Sequence, residues 1–176
     1  MPHFAVDPVT TAAKLVTELQ TIVSRETDPL DSAVISITTI HGGSAFNVIP
    51  ELIEMQGTIR ALSMTGLQHL QSRIKDVATH IGAANRCEID VEYPGNDYPP
   101  TVNDHAAWSL AQQVASEVLG ENKVEEIPPV MGGEDFSFFA EKVPGCFVGL
   151  GVRNEDQGAI YSVHHPKFKV DEDALP

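Results

Sequence analysis

Between Val9 and Val23 the apolar residues Val9, Ala12, Ala13, Val16, Leu19, Ile22 and Val23 recur every three or four positions, the spacing that lines one stripe of a helix. Asp7-Pro8 ahead of them offers an N-cap carboxylate and a proline at the first helical position, where its missing N–H is no loss. Asp28-Pro29 ends the pattern a few residues beyond Arg25. The period then drops to two. Ala33, Ile35 and Ile37 alternate with Val34, Ser36 and Thr38 in a β-branched run to Ile40, which predicts a half-buried strand. After a glycine-rich turn over 41–50, Ile53, Met55, Gly57, Ile59 and Ala61 alternate with Glu54, Gln56, Thr58 and Arg60, a second strand with one apolar and one polar face. Helical spacing returns in Leu67, Leu70, Ile74, Val77, Ala78 and Ile81. Cys87, Ile89, Val91 and Tyr93 then alternate with Arg86, Glu88, Asp90 and Glu92, predicting a third strand.

The order αββαβ, with every strand wet on one face, predicts an α+β unit resembling a ferredoxin-like sheet with both helices on one side. It is short of its first strand, which would have to precede Met1. Tyr93-Pro94-Gly95-Asn96-Asp97-Tyr98-Pro99-Pro100 is turn-rich and is the expected domain boundary, dividing the chain into 1–95 and 99–176. Beyond it, Asn103 or Asp104 caps a helix carrying Ala107, Leu110, Ala111, Val114, Val118 and Leu119 and ending at Gly120. Ile127 to Phe139 reads as a strand-like entry, a glycine turn and a short helix. Cys146-Phe147-Val148-Gly149-Leu150 has the uninterrupted apolar character of a strand buried on both faces.

Composition narrows the function classes. Lys+Arg 11 against Asp+Glu 25, a net charge of -14, would repel a phosphate backbone and argues against nucleic acid as a partner. No run of about 18 apolar residues is present, so no membrane span is expected. The two cysteines, Cys87 and Cys146, lie far apart without CxxC spacing, which argues against a disulfide framework. The first residues are neither basic nor apolar enough for a signal peptide, so a cytoplasmic location is expected.

Three places carry residue types suited to chemistry. His164 and His165 follow the apolar run at 146–150, and imidazole is a common ligand for zinc or manganese. Neighbouring side chains on extended backbone point apart, so at most one serves a given ion; both are otherwise surface histidines. Glu134 and Asp135 follow Gly132-Gly133, where carboxylates can orient a ligand or move protons; Asp135 could equally cap the helix starting at Phe136. Arg60 lies on the polar face of its strand, where a guanidinium can grip a carboxylate in bidentate fashion, and Asn47 in the turn could donate to the same ligand. The alternative for that pair is a solvated arginine and a turn asparagine. His3 and His41 carry no more specific signal.

The motifs in order are Met1-Pro2-His3 before Asp7-Pro8, Ser24-Arg25-Glu26-Thr27-Asp28-Pro29-Leu30, Gly42-Gly43-Ser44-Ala45-Phe46-Asn47-Val48-Ile49-Pro50, Gly57-Thr58-Ile59-Arg60, Pro99-Pro100-Thr101-Val102-Asn103, Met131-Gly132-Gly133-Glu134-Asp135-Phe136-Ser137 and His164-His165-Pro166. Together they resemble the metal-dependent amidohydrolases that include hippurate hydrolase, N-acyl-amino-acid amidohydrolases and plant auxin-conjugate hydrolases. The resemblance implies an α/β di-metal catalytic domain interrupted by a ferredoxin-like lid or dimerisation domain. Residues 1–95 match the lid without its first strand, and 99–176 match the C-terminal segment of the catalytic domain. It also implies that His164 is a metal ligand, that Asn47 and Arg60 bind the substrate carboxylate, and that Glu134 and Asp135 line the site or support its ligands. The remaining ligands, the general-base Glu and an oxyanion-stabilising His would lie in an N-terminal half outside this chain, so no catalytic residue is expected within it.

By that resemblance the complete enzyme hydrolyses the amide of small N-acyl amino acids, hippurate-like or auxin-conjugate-like, with two divalent ions, zinc or manganese. It would work as a homodimer joined through the lid. This chain alone is expected to bind no metal stably and to be inactive, since catalytic metals need three or more protein ligands. Two alternatives stand beside this reading. One is a non-catalytic lid and dimerisation module, or an incomplete gene product; the other is a dipeptidase or carboxypeptidase of the same family.

Overall fold

The computed structural model describes residues 1–95 and 97–175; Asn96, within the expected linker, and Pro176 lie outside the described residues. Helix α1 runs over Pro8–Thr21. Asp7 caps it as its sequence predicts, its carboxylate accepting from the amides of Val9 at 2.9 Å and Thr10 at 3.2 Å. A π-helical turn, Ile22–Glu26, extends the helix and leaves Ile22 fully buried. Strands β1 (Ala33–His41) and β2 (Glu54–Ala61) pair antiparallel, Ile35 opposite Ile59 and Val34 opposite Arg60. The register shifts between Ile37 and Thr39, where a bulge leaves Thr38 donating to the Gln56 carbonyl at 3.3 Å. Helix α2 (Met64–Asn85) is capped by Ser63 and is stopped by Arg86 in the left-handed conformation, φ 61°.

Helices α1 and α2 cover the same face of this two-stranded sheet. Leu15, Leu19 and Ile22 meet Leu70, Ile74, Val77 and Ala78 over Ile35, with Ile37, Met55, Ile59 and Ala61 closing the edge of the cluster. The forked ion pair of Arg73 with Glu26, Nε–Oε2 2.7 Å and Nη2–Oε1 2.9 Å, pins the π-helical turn to α2. That pairing holds the Glu26 carboxyl below its ordinary range, chiefly by the hydrogen bonds from Arg73. The fold is therefore mixed α/β with a small antiparallel sheet, and the opposite sheet face, bearing Thr58 and Arg60, is exposed.

Two expected strands are corrected. Residues 86–93 keep the predicted alternation, with Cys87, Ile89, Val91 and Tyr93 turned in and Glu88, Asp90 and Glu92 out, but form no ladder. The reason is spatial. A groove of about 310 Å³ runs between them and β2, walled by Ile53 and Met55 on one side and Cys87 and Ile89 on the other, with Thr11, Ala12 and Leu15 of α1 as its floor. No described backbone lies close enough to either edge to complete a sheet. Residues 146–150 likewise form no strand, and Phe147, Val148 and Leu150 are 46%, 67% and 55% exposed rather than buried on both faces. A central-strand composition buries nothing without neighbouring strands to cover it.

The second part of the chain is held more lightly. Helix α3 (His105–Leu119) is capped by the Asp104 carboxylate, which accepts from Ala107 N at 2.9 Å, and it ends at Gly120 with φ 90°, a conformation that suits glycine. None of its residues is buried, and Leu110, Val114 and Val118 face outward. Helix α4 is the short Phe136–Ala140. The backbone amide of Asp104 donates to the Gly145 carbonyl at 2.8 Å, and Phe147 N to the Asn103 side chain at 2.8 Å, tying the start of α3 to the 145–147 segment. Among the described residues, no helix is long and apolar enough to cross a membrane.

Candidate functional site

Arg60 stands where its alternation places it, exposed on the helix-free face of β2. Its Nη1 donates at 2.5 Å to the backbone carbonyl of Met131, the residue before Gly132-Gly133-Glu134-Asp135. A cation on the sheet is thereby tied to the residue that leads into an acidic turn some 70 residues later. The turn is braced from its other flank. Gly133 packs against Tyr98, where an added Cβ would meet the ring at 3.3 Å, and Tyr98 in turn rests on Phe138 with centroids 5.7 Å apart. Inside the turn, fully buried Ser137 donates its hydroxyl to the Glu134 carbonyl at 2.6 Å, and its amide donates to the same oxygen at 3.1 Å.

This geometry separates the two readings of Asp135. Its backbone is already helical, φ -65° and ψ -24°, and its carboxylate makes no cap hydrogen bond to α4. The capping alternative thus fails, and the Asp135 carboxylate is exposed. Glu134 is half-buried beside it. The Met131 carbonyl and the Tyr98 ring have no sequence signal of a functional kind; only the meeting of turn and strand reveals them.

Asn47 lies in an exposed turn closed by Val48 N donating to Ala45 O at 3.3 Å. His164 is exposed and has φ 67°, a left-handed backbone that a non-glycine residue rarely adopts. Among the described residues no hydrogen bond joins Asn47 or His164 to the Arg60 pair. His165 differs from its neighbour: its ring stacks on Tyr161 at 4.2 Å and 8°, and its Nδ1 accepts from Lys167 N at 3.1 Å. His41 ends β1 opposite Glu54, and His3 rests on Phe4 with centroids 4.1 Å apart.

Among the described residues, no three His, Cys, Asp or Glu side chains converge to hold an ion, so the donor set of this chain does not fit a complete metal site.

Residues 6–176 match the description "Peptidase family M20/M25/M40". The chain is 44% identical over 179 residues to IAA-amino acid hydrolase ILR1-like 2 of Arabidopsis thaliana, all of this chain aligning with 40% of that protein. It is 38% identical to thermostable carboxypeptidase 1 of Saccharolobus solfataricus, covering 99% of this chain and 44% of the relative. Its fold is similar to the crystal structure of a Bacillus subtilis dinuclear metal-binding peptidase of the M20 family, with TM-score 0.75 and 30% identity over 97% of this chain and 42% of that one. The chain thus spans well under half the length of these relatives.

Proposed function

The chain belongs to peptidase family M20/M25/M40, and from that premise we propose that it carries the substrate-carboxylate clamp of an amidohydrolase acting on N-acyl amino acids. The observation that supports this most directly is Arg60 beside the acidic turn, joined through the Met131 carbonyl. A guanidinium held by one neutral carbonyl keeps most of its N–H donors free, and a carboxylate competes well for them because charge-assisted hydrogen bonds are about twice as strong as neutral ones. Asn47 adds an amide donor to the same carboxylate. Glu134 and Asp135 flank the bound molecule, with the Asp135 carboxylate unspent on capping. In this reading His164 is the one ligand that the chain contributes to a pair of divalent ions, zinc or manganese.

Residues 1–95 act as a ferredoxin-like lid and 99–176 as a segment of the catalytic domain. The groove beside β2 supports the lid reading of the first part, since a strand entering it would pair with β2 on one side and 87–93 on the other. The free edge of β1, which pairs with β2 alone among the described residues, suits a homodimer formed through the lid. Arg60→Ala in the catalytically complete protein should raise KM for an N-acyl amino acid roughly 10- to 100-fold, the loss of about 1.5–3 kcal/mol of charge-assisted bonding, with kcat little changed. An unmoved KM sinks the clamp.

A second reading rests on the similarity to the thermostable carboxypeptidase. A peptide's terminal carboxylate would use the same clamp, so the two differ at the other end of the substrate. Turnover of hippurate against a dipeptide with a free amine separates them.

A further inference from the structure

We infer that Tyr161 and His165 form a lock that holds the backbone of His164 in its left-handed turn, so that His164 is the histidine presented for function and Tyr161 and His165 are positioning residues. The inference rests on the reading of His164 as a ligand, but its own observations are independent of that reading. His165 N donates to the Ser162 carbonyl at 3.2 Å, closing a four-residue turn in which His164 is the third residue. Only His164 within that turn has positive φ, 67°, the sign that a type II turn requires at its third residue. That position ordinarily takes glycine or asparagine, because a Cβ there crowds the backbone. A histidine stays only where its surroundings over-determine the conformation.

The surroundings do so through His165. Its ring lies flat on Tyr161, 4.2 Å between centroids and 8° between planes. Its Nδ1 accepts the Lys167 amide at 3.1 Å, and its carbonyl accepts Phe168 N at 2.9 Å in a second turn whose next residue is Pro166, with φ preset for that place. The imidazole is thus tied to the chain on both sides of the strained residue. An aromatic stack and a left-handed non-glycine residue carry free energies of the same order, so the stack is strong enough to matter.

The same contacts assign the pair chemically. With the Nδ1 lone pair of His165 occupied by the Lys167 N–H, its neutral ring carries the proton on Nε2 and offers no free lone pair. His164 has neither nitrogen in a hydrogen bond among the described residues. Adjacent and chemically alike in sequence, the two histidines are divided by the turn into one that is presented and one that is consumed.

NMR on this chain tests the lock. The ring protons of His165 should be shifted upfield by Tyr161, and His164 should show the strong intraresidue amide–Hα NOE of positive φ. Tyr161→Leu should abolish the upfield shift and weaken that NOE, whereas Tyr161→Phe, which keeps a stacking ring, should retain both. His164→Gly in the Tyr161→Leu background should restore the turn, read as slowed exchange of the His165 amide, because glycine needs no lock. If Tyr161→Leu leaves the His164 NOE and the His165 shifts unchanged, the lock is overturned. Metal content of the catalytically complete protein decides the other reading separately: retention of its metal by His164→Ala overturns the ligand role and leaves the NMR result standing.

Discussion

Leu70→Ala and Leu110→Ala make the same chemical change on two helices, yet should have very different consequences. Leu70 on α2 is 1% exposed and packs among Leu15, Leu19, Ile22 and Ile35, so truncation removes buried methyl and methylene groups from between α1, α2 and the sheet. Lost transfer free energy at roughly 0.8 kcal/mol per buried methylene, plus a cavity that the two helices close only in part, gives a cost of about 3 kcal/mol. Leu110 on α3 is 61% exposed, and the gain in helix propensity on going to alanine offsets what little packing is lost. A change within about 0.5 kcal/mol is expected there. Urea titrations followed by far-ultraviolet circular dichroism report chiefly α1 and α2, while fluorescence of Trp108, the single tryptophan, reports α3. Leu70→Ala should lower the dichroism midpoint by about 1–3 M, given slopes of about 1–3 kcal/mol/M. The Trp108 signal should change at lower urea in the parent chain and be moved little by either variant, since the buried hydrophobic cluster lies within residues 15–78. Coincident transitions for the two probes, or equal costs for the two variants, would refute the division of the chain into a cored part and an uncovered one.

Gly57→Ala should destabilise by about 1–3 kcal/mol in a thermal melt, because the new Cβ would run into the Ser36 carbonyl oxygen and press on Ile37 Cα at 3.1 Å, forcing β1 and β2 apart. Glu26 is held below its ordinary pKa of 4.5 by Arg73, so its stabilisation is complete above pH 4.5 and is lost as pH falls through its lowered value. Glu26→Gln should flatten that acid limb of the stability curve, and an unchanged limb would show that the ion pair contributes nothing. Burial pushes the Tyr93 phenol up to about 12, with the Asp97 charge adding to the effect, while its hydroxyl donates to the Gln71 carbonyl at 3.1 Å. Its raised value means stability that is whole below pH 10 and is lost as pH rises from 10 towards about 12; Tyr93→Phe should remove that loss, as read from denaturation midpoints across the range.

The element starts were legible because their signals are local. Asp7-Pro8 and Asp104 cap α1 and α3 through hydrogen bonds that span only a few residues, which a sequence displays directly. The faces of β1, β2 and 87–93 were legible for the same reason, since a period of two assigns each side chain a side. Arg60 on the wet face of β2 and the turn at Gly132-Gly133 followed from the same patterns. Their adjacency did not, because a hydrogen bond from Arg60 to the Met131 carbonyl joins elements separated by the whole of α2 and α3.

The amino-acid sequence by itself determined which residues turn inward, where helices begin, and that a histidine pair and an acidic turn exist. Only tertiary structure decided whether those tendencies were used. Residues 87–93 have the faces of a strand without the ladder, and 146–150 have the apolar run of a buried strand without burial, because pairing and covering need partners that a periodicity cannot supply. Asp135 resembles a cap in sequence and is not one, since its backbone is already helical. His164 and His165 are the same residue type in adjacent positions; a left-handed turn, a tyrosine ring and one amide hydrogen bond make them different.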